Sequence, residues 1–209
     1  MDKENYIYLH KEDGTVKRVK NIFGLWVEFK GKNSVINIYE PCKFKFQIGP
    51  NRSRIVCCGD NNIINIQSNT VTKIKSLRIK AIGSNNKINI GKNIHMTGGV
   101  KIDFAYTSNL NLNIGDNCLF GQNIEMMLGD HHKIYSIDDD KRINTPSYGI
   151  DIADNVWLAR NVTIMKDVKI SRNSVVAYGS LVTKKFEQEN VLLAGIPAKI
   201  VKENIYWKY

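Results

Sequence analysis

Residues 150–185, IDIADNVWLARNVTIMKDVKISRNSVVAYGSLVTKK, keep a count of six. Ile152, Leu158, Ile164, Ile170, Val176 and Val182 fall six apart without a miss. A second row, Val156, Val162 and Val168 and then Ser174 and Ser180, falls four residues after each of the first five. A helix repeats near 3.6 and a single strand at 2, so neither explains the count. One aliphatic and one small or aliphatic position in every six is the signature of a hexapeptide β-helix. In such a solenoid the aliphatic rungs stack into one core, each coil burying the face of the next. The chain is therefore expected to be all-β, a parallel hexapeptide solenoid.

Upstream, the count returns at Ile90, Met96 and Ile102, meets a polar Ser108, and resumes at Ile114, Phe120 and Met126. Then it breaks, because Met126 and Ile152 are 26 residues apart, which is no multiple of six. A solenoid accepts an insertion only as a loop thrown from a corner, and such loops carry function. The interval holds Gly129-Asp130-His131-His132 and the polar run Ser136–Arg142. The extended loop at about 127–150 is thus the candidate active site.

Between Asn33 and Lys80 the rhythm weakens into short alternating pieces, Val35–Ile38 and Ile63–Ile66, set among many of the 24 asparagines. Asparagine tolerates left-handed backbone angles at corners, and its side chains can stack as ladders. Residues 1–32 read differently. Tyr6–Leu9, the turn residues Glu12-Asp13-Gly14-Thr15 and Val16–Val19 suggest a strand or hairpin. It would either cap the open end of the solenoid or pack at a subunit interface. The rhythm ends at Phe186–Asn190, an apolar strand Val191–Ala194 follows, and Pro197 is positioned to start a short helix over Ala198 to Trp207. The expected organisation is a cap at 1–32, a β-helix at 33–195, and a C-terminal helix or tail at 196–209.

At 209 residues the chain fits one sizeable domain. No apolar run approaches the roughly 18 residues of a membrane-spanning helix, so membrane insertion is not expected. The first residues carry acids and lack an apolar core, so a secretory leader is not expected either. Four cysteines without metal-ligand spacing suggest reduced thiols in the cytoplasm. The formal charge of +10 favours anionic partners. There is no arginine-rich run or aromatic–basic reader motif, so nucleic acid is not the expected partner.

His132, with His131 beside it, is the main candidate for chemistry, since an imidazole can act as general base near neutral pH. Asp130 could orient an imidazole. Trp157, on the coil just after the loop, is bulky for the corner of a thin solenoid. No nucleophile elbow, Walker loop or dinucleotide glycine pattern is present. Four scattered histidines without cysteine partners point to no metal site.

The block Ile152–Ile164, the stretch Ala177–Lys184 and the close Ala194–Lys202 together resemble the left-handed β-helix, hexapeptide-repeat acetyltransferases. Asp130-His131-His132-Lys133-Ile134-Tyr135, followed by Arg142-Ile143-Asn144, is similar to the loop of bacterial capsular-polysaccharide O-acetyltransferases, including those acting on polysialic acid. The resemblance covers roughly residues 88–207 and implies a left-handed winding. It also implies acetyl-CoA as cosubstrate and a homotrimer with active sites between subunits. It makes His132 the base that deprotonates a sugar hydroxyl, from the family spacing Asp-x-His-x-Ile, and Trp157 a wall of the acetyl and acceptor pocket. A backbone N–H at Ala159 or Arg160 would support the oxyanion. Tyr178, Gly179, Thr183 and Lys184 match positions along the pantetheine arm, and Lys199 and Lys202 match basic positions near the nucleotide phosphates. Two departures stand out: the family often has Gly where Ala159 stands and a small residue where Tyr178 stands.

The implied activity is O-acetylation of a bacterial surface glycan, capsule or O-antigen. A xenobiotic O-acetyltransferase and a sugar-nucleotide N-acetyltransferase are alternatives on the same scaffold. A structural or binding β-helix without catalysis is a third.

Overall fold

The computed structural model describes residues 4–70 and 72–208. Residues 1–3 and 209, at the outer ends of the expected cap and tail, lie outside the described residues. Strands dominate, and the helical content among the described residues is the 3-10 turn Gly49–Asn51. Successive coils pair in parallel in two long sheets. One runs from Val168–Ile170 through Gly149–Ile152, Asn111–Ile114, Lys87–Ile90, Ile63–Ile66 and Val35–Tyr39 to Tyr6–His10. The other runs from Leu192–Gly195 through Val175–Val176, Trp157–Leu158, Leu119–Met127, His95–Asp103, Leu77–Ile82 and Ser53–Cys58 to Leu25–Phe29.

The register explains the rule of six. Ile38, Ile66, Ile90, Ile114, Ile152 and Ile170 align strand to strand, and each is at most 3% exposed. Ile55, Ile79, Ile102, Met126, Ile164 and Val182 form the matching column of the other sheet. Each such side chain contributes on the order of 1.5–3 kcal/mol by leaving water. The second sequence row, Val156, Val162, Val168, Ser174 and Ser180, is also buried.

Coil length accounts for the weaker rhythm upstream. Corner asparagines Asn61, Asn85 and Asn109 are linked amide to amide at 3.0 Å across a spacing of 24 residues, which is four sixes. Asn155 and Asn173 are linked across 18, which is three. In the longer coils the extra unit is polar: Ser84 accepts at Oγ from the Asp60 amide, and Ser108 from the Ser84 amide. Asn61, Asn85, Asn109, Asn123, Asn155, Asn161 and Asn173 all take left-handed φ between 55 and 62°, the conformation asparagine tolerates. A second ladder, Asn37–Asn65–Asn89–Asn113 at 2.8 Å per step, climbs the outer face of the first sheet.

At the N-terminal end, Val16–Val19 turns back antiparallel on Tyr6–His10, while Tyr6–His10 itself pairs in parallel with Val35–Tyr39. At the C-terminal end the expected helix does not form. Ala198–Lys202 is a strand, antiparallel to Leu192–Gly195. The reason lies in the solenoid's last edge, whose unpaired backbone groups demand a partner. A second strand satisfies them, whereas a helix would leave them open. The tail beyond still folds back, with the Ile205 amide on the Asn190 carbonyl and Trp207 Nε1 on the Asn155 carbonyl at 2.8 Å.

Candidate active site

The loop opens where the strand Leu119–Met127 ends. Leu128 is buried, and its amide donates to the Asp103 carbonyl at 2.9 Å. It closes at Gly149, where the amides of Ser147, Tyr148 and Gly149 all donate to Asp167 Oδ1 at 2.9–3.2 Å. Burial acts upward on the Asp167 carboxyl, but these backbone donors outweigh it and hold the group below its ordinary value. Asn123 and Asn161 bond across a gap of 38 residues, 20 more than the three-unit coil spans, and the loop is the difference.

Between these anchors the chain makes a small arm. Tyr135 and Arg142 bridge antiparallel, and the Ile143 amide donates to the Ile134 carbonyl at 2.9 Å. Its base is tied by Asn144, which is 8% exposed. Asn144 Nδ2 donates to Asp130 Oδ2 at 2.7 Å and to the His132 carbonyl at 2.9 Å. Its Oδ1 accepts from the Ile134 amide at 2.9 Å and from Arg142 Nε at 3.1 Å. The Lys166 ammonium reaches the Asn144 carbonyl at 2.9 Å and also pairs with Asp130 Oδ2. Asn144, Lys166 and Asp167 therefore hold the loop. Sequence reasoning assigned them no role, because their partners are distant in the chain and carry no spacing signal.

Asp130 Oδ2 is engaged by Lys166 and Asn144, which ties this side chain to the loop's base. His131 instead approaches Asp103, with Nε2 4.0 Å from Oδ2, and meets the Tyr106 ring edge-on at 5.9 Å. His132 has its main chain fixed by Asn144 and its side chain exposed. That combination suits a proton acceptor that must meet an incoming hydroxyl.

Trp157 pairs with Leu119 at the start of the strand whose far end launches the loop. It is 36% exposed, and Trp207 of the tail packs at 6.0 Å. The left-handed corner Asn123–Asn161 lies between Trp157 and the loop. Within one chain His132 and Trp157 thus stand on either side of a corner and are not brought together.

Some of the remaining expected residues share one corner. Arg160's carbonyl accepts from the Gly179 amide at 3.0 Å, Asn161 Nδ2 donates to Tyr178 Oη at 2.7 Å, and the Gly195 amide donates to Ser180 Oγ at 3.2 Å. So Ala159–Asn161, Tyr178–Ser180 and Gly195 stack in one column at the C-terminal end. Thr183 and Lys184 are exposed just beyond, with Lys184 Nζ 5.5 Å over the Phe186 ring. Lys199 pairs with Ala194, and Lys202 with Leu192, both exposed. The Ala159 amide is spent on the Val176 carbonyl at 2.9 Å. Of the two expected oxyanion donors, Arg160 is the one whose N–H is not spent in that ladder bond.

Burial pushes the thiols of Cys42, Cys57 and Cys118 up to about 12, so all three are held protonated and none is a nucleophile. Among the described residues, no three His, Cys, Asp or Glu side chains gather as a metal-ligand set. No helix there is long and apolar enough to cross a membrane.

The chain is similar to a polysialic acid O-acetyltransferase of Neisseria meningitidis, 32% identical in a 191-residue alignment that covers 71% of this chain and 86% of that protein. A polysialic acid O-acetyltransferase of Escherichia coli O1:K1 / APEC is 34% identical over 136 residues, covering 65% of this chain and 42% of that protein. The crystal structure of the polySia-specific acetyltransferase NeuO, 30% identical, matches with a TM-score of 0.79 over 98% of this chain and 78% of its own. The chain spans about half the length, or less, of several curated relatives it matches. No protein-family model matches it.

Proposed function

The chain belongs to the hexapeptide-repeat O-acetyltransferases, and from that premise we propose that it transfers an acetyl group from acetyl-CoA to a hydroxyl of an acidic bacterial surface glycan. The observation that carries the reading is the Asn144 brace, which fixes the main chain of His132 while its ring stays open to a substrate. One ring nitrogen of His132 takes the proton of a sugar hydroxyl as that oxygen attacks the acetyl carbonyl, and as the carbon–sulfur bond breaks the CoA sulfur takes that proton back from the ring and leaves as the thiol. The Arg160 amide supports the charge that develops on the carbonyl oxygen.

The stacked edge from Ala159 and Arg160 to Tyr178, Gly179 and Thr183 suits a long, thin arm laid along the solenoid. Lys184, Lys199 and Lys202 at its end suit phosphates, which lysine meets as a point charge. Tyr178 Oη, tied to Asn161, narrows this edge without closing it. The coils are read as left-handed, in keeping with the family resemblance.

The corner between His132 and Trp157 supports a homotrimer in which the histidine arm of one subunit meets Trp157 of the next. Closed cyclic assembly supplies every site with both residues. The acidic acceptor draws support from the relatives named for polysialic acid and from the net charge of +10. Acetyl-CoA as donor supports a reaction on the cytoplasmic side.

The test is release of CoA on mixing the protein with acetyl-CoA and a panel of capsule and O-antigen polysaccharides. A ligand at a hundred times its dissociation constant adds about 2.7 kcal/mol of stability, so CoA alone should raise the melting temperature. No release with any glycan, together with no thermal shift at millimolar CoA, overturns the reading.

A further inference from the structure

The outer face of the second sheet carries a ladder of cations in the coils before the histidine loop. Arg54, Arg78 and Lys101 occupy one register row in the neighbouring strands Ser53–Cys58, Leu77–Ile82 and His95–Asp103, and Glu125 is next to Lys101. Strand alternation puts them outside, because Ile55, Ile79 and Ile102, one residue on, are buried in the core. Neighbouring strands lie about 4.8 Å apart, so the row is a regular column of charge along the solenoid axis.

The chain walls this column in. The excursion around Gly49–Asn51 borders a hollow of about 280 Å³ lined by Arg52, Arg54, Arg78 and Lys80. It also borders a second, of about 190 Å³, lined by Arg78, Lys101 and Glu125. A third, of about 220 Å³, continues past Arg78 and Lys101 to Asp103. Arg78 lines all three, which makes them one cleft. At one end stands Trp26, 50% exposed, with the Arg52 guanidinium 4.2 Å over its ring. At the other, the Asp103 carboxylate faces His131. The cleft runs from an aromatic platform to the histidine loop.

Its charge is only partly neutralised. Arg54 pairs with Glu28, and Lys80 with Asp103 at 3.5 Å. Arg52, Arg78 and Lys101 form no ion pair among the described residues, and Arg54 Nε, shielded from solvent, has no hydrogen-bond partner there.

We propose that this cleft is a second, non-catalytic binding site that holds the chain of a carboxylate-bearing polysaccharide some sugars away from the hydroxyl being acetylated. The proposal rests on the glycan acceptor argued above. A polymer with carboxylates at regular intervals matches cations at regular intervals, and Trp26 suits the apolar face of a pyranose. A nucleic acid would call for aromatic platforms interleaved with the cations, whereas the exposed aromatics here, Trp26 with Phe46 and Phe23 beside it, gather at one end of the cleft.

Binding is measured by fluorescence anisotropy, without acetyl-CoA, on labelled polysialic acid, with its disaccharide, neutral dextran and single-stranded DNA as comparisons. The long acid is expected to bind, more weakly as salt rises, with the disaccharide far weaker and dextran not held. Arg78→Gln with Lys101→Gln should weaken the long acid about tenfold or more, while Arg78→Lys with Lys101→Arg restores it. Unchanged melting temperatures exclude unfolding as the cause. Equal affinity of the Gln variant and the parent overturns the proposal, and so does DNA held more tightly than polysialic acid through the same residues. A protein that binds the polymer but never releases CoA refutes acetyl transfer and leaves the cleft standing.

Discussion

Asn144 Nδ2 lies 2.9 Å from the carbonyl oxygen of His132, twelve residues earlier in the chain. The link makes Asn144 a positioning residue, since it touches the candidate base only through the main chain. Asn144→Ala strands the His132 carbonyl and the Ile134 amide and leaves Asp130 Oδ2 to Lys166 alone, each unmade bond costing about 1–3 kcal/mol where water cannot replace it. The coil core is untouched, so the loss should be local. Turnover is expected to fall at least about tenfold, with faster hydrogen exchange across residues 130–143 and a small change in global melting. Unchanged exchange would contradict the brace.

The two histidines should separate cleanly. His132→Ala is expected to cost about a hundredfold to ten-thousandfold in turnover, the usual range for removing a general base. His131 sits against Asp103 and Tyr106, so His131→Ala should leave most of the activity. Reversed phenotypes in a CoA-release assay would move the base by one residue.

The core was legible in the sequence where coils are three sixes long, because Ile152 to Val182 then repeat without interruption. In the four-six coils the extra unit is polar, as at Ser84 and Ser108, so the aliphatic count lapses although Ile66, Ile90 and Ile114 still stack. The loop was legible as a break in that count. What holds it was not: Asn144 with Asp130, and Asp167 with Ser147–Gly149, are pairings of distant residues with no period. The C-terminal helix misread Pro197 and the apolar spacing after it. Local propensity was outweighed by an open sheet edge beside Leu192–Gly195.

Asp167 gives the loop a pH dependence of known sign. Its folded carboxyl titrates below the ordinary value of 3.8 because backbone amides donate to the ionised form. The stability it contributes is therefore present above the unfolded value and is lost as pH falls through the lower folded one. Protection of the amides at residues 147–149, taken relative to their intrinsic exchange rates, should fall on acidification between about pH 5 and pH 2. In Asp167→Asn that protection should be low throughout and nearly flat in that window, and a steep dependence surviving in that variant would point to another group.

Gly149 is where the loop rejoins the coil, at φ 113°, and a Cβ there would lie 1.9 Å from the Asn111 carbonyl oxygen. That oxygen belongs to a neighbouring strand and cannot step aside. Gly149→Ala should destabilise the protein by at least about 2 kcal/mol in urea unfolding. A loss under half a kcal/mol would mean that the re-entry is far looser than the register of Asn111 with Gly149 implies.

The separation of His132 from Trp157 by the Asn123–Asn161 corner leads to a test that no single-subunit site passes. His132→Ala and Trp157→Ala should each be nearly inactive alone. Unfolded together and refolded as mixed trimers, they should regain activity, since some interfaces pair an intact histidine from one subunit with an intact tryptophan from its neighbour. With equal amounts and random assembly, about a quarter of the sites are whole. Light scattering on the refolded mixture checks that trimers have formed. Recovery to roughly that fraction supports a shared site, whereas trimers that stay inactive would place both residues in one subunit's site and refute the intersubunit arrangement.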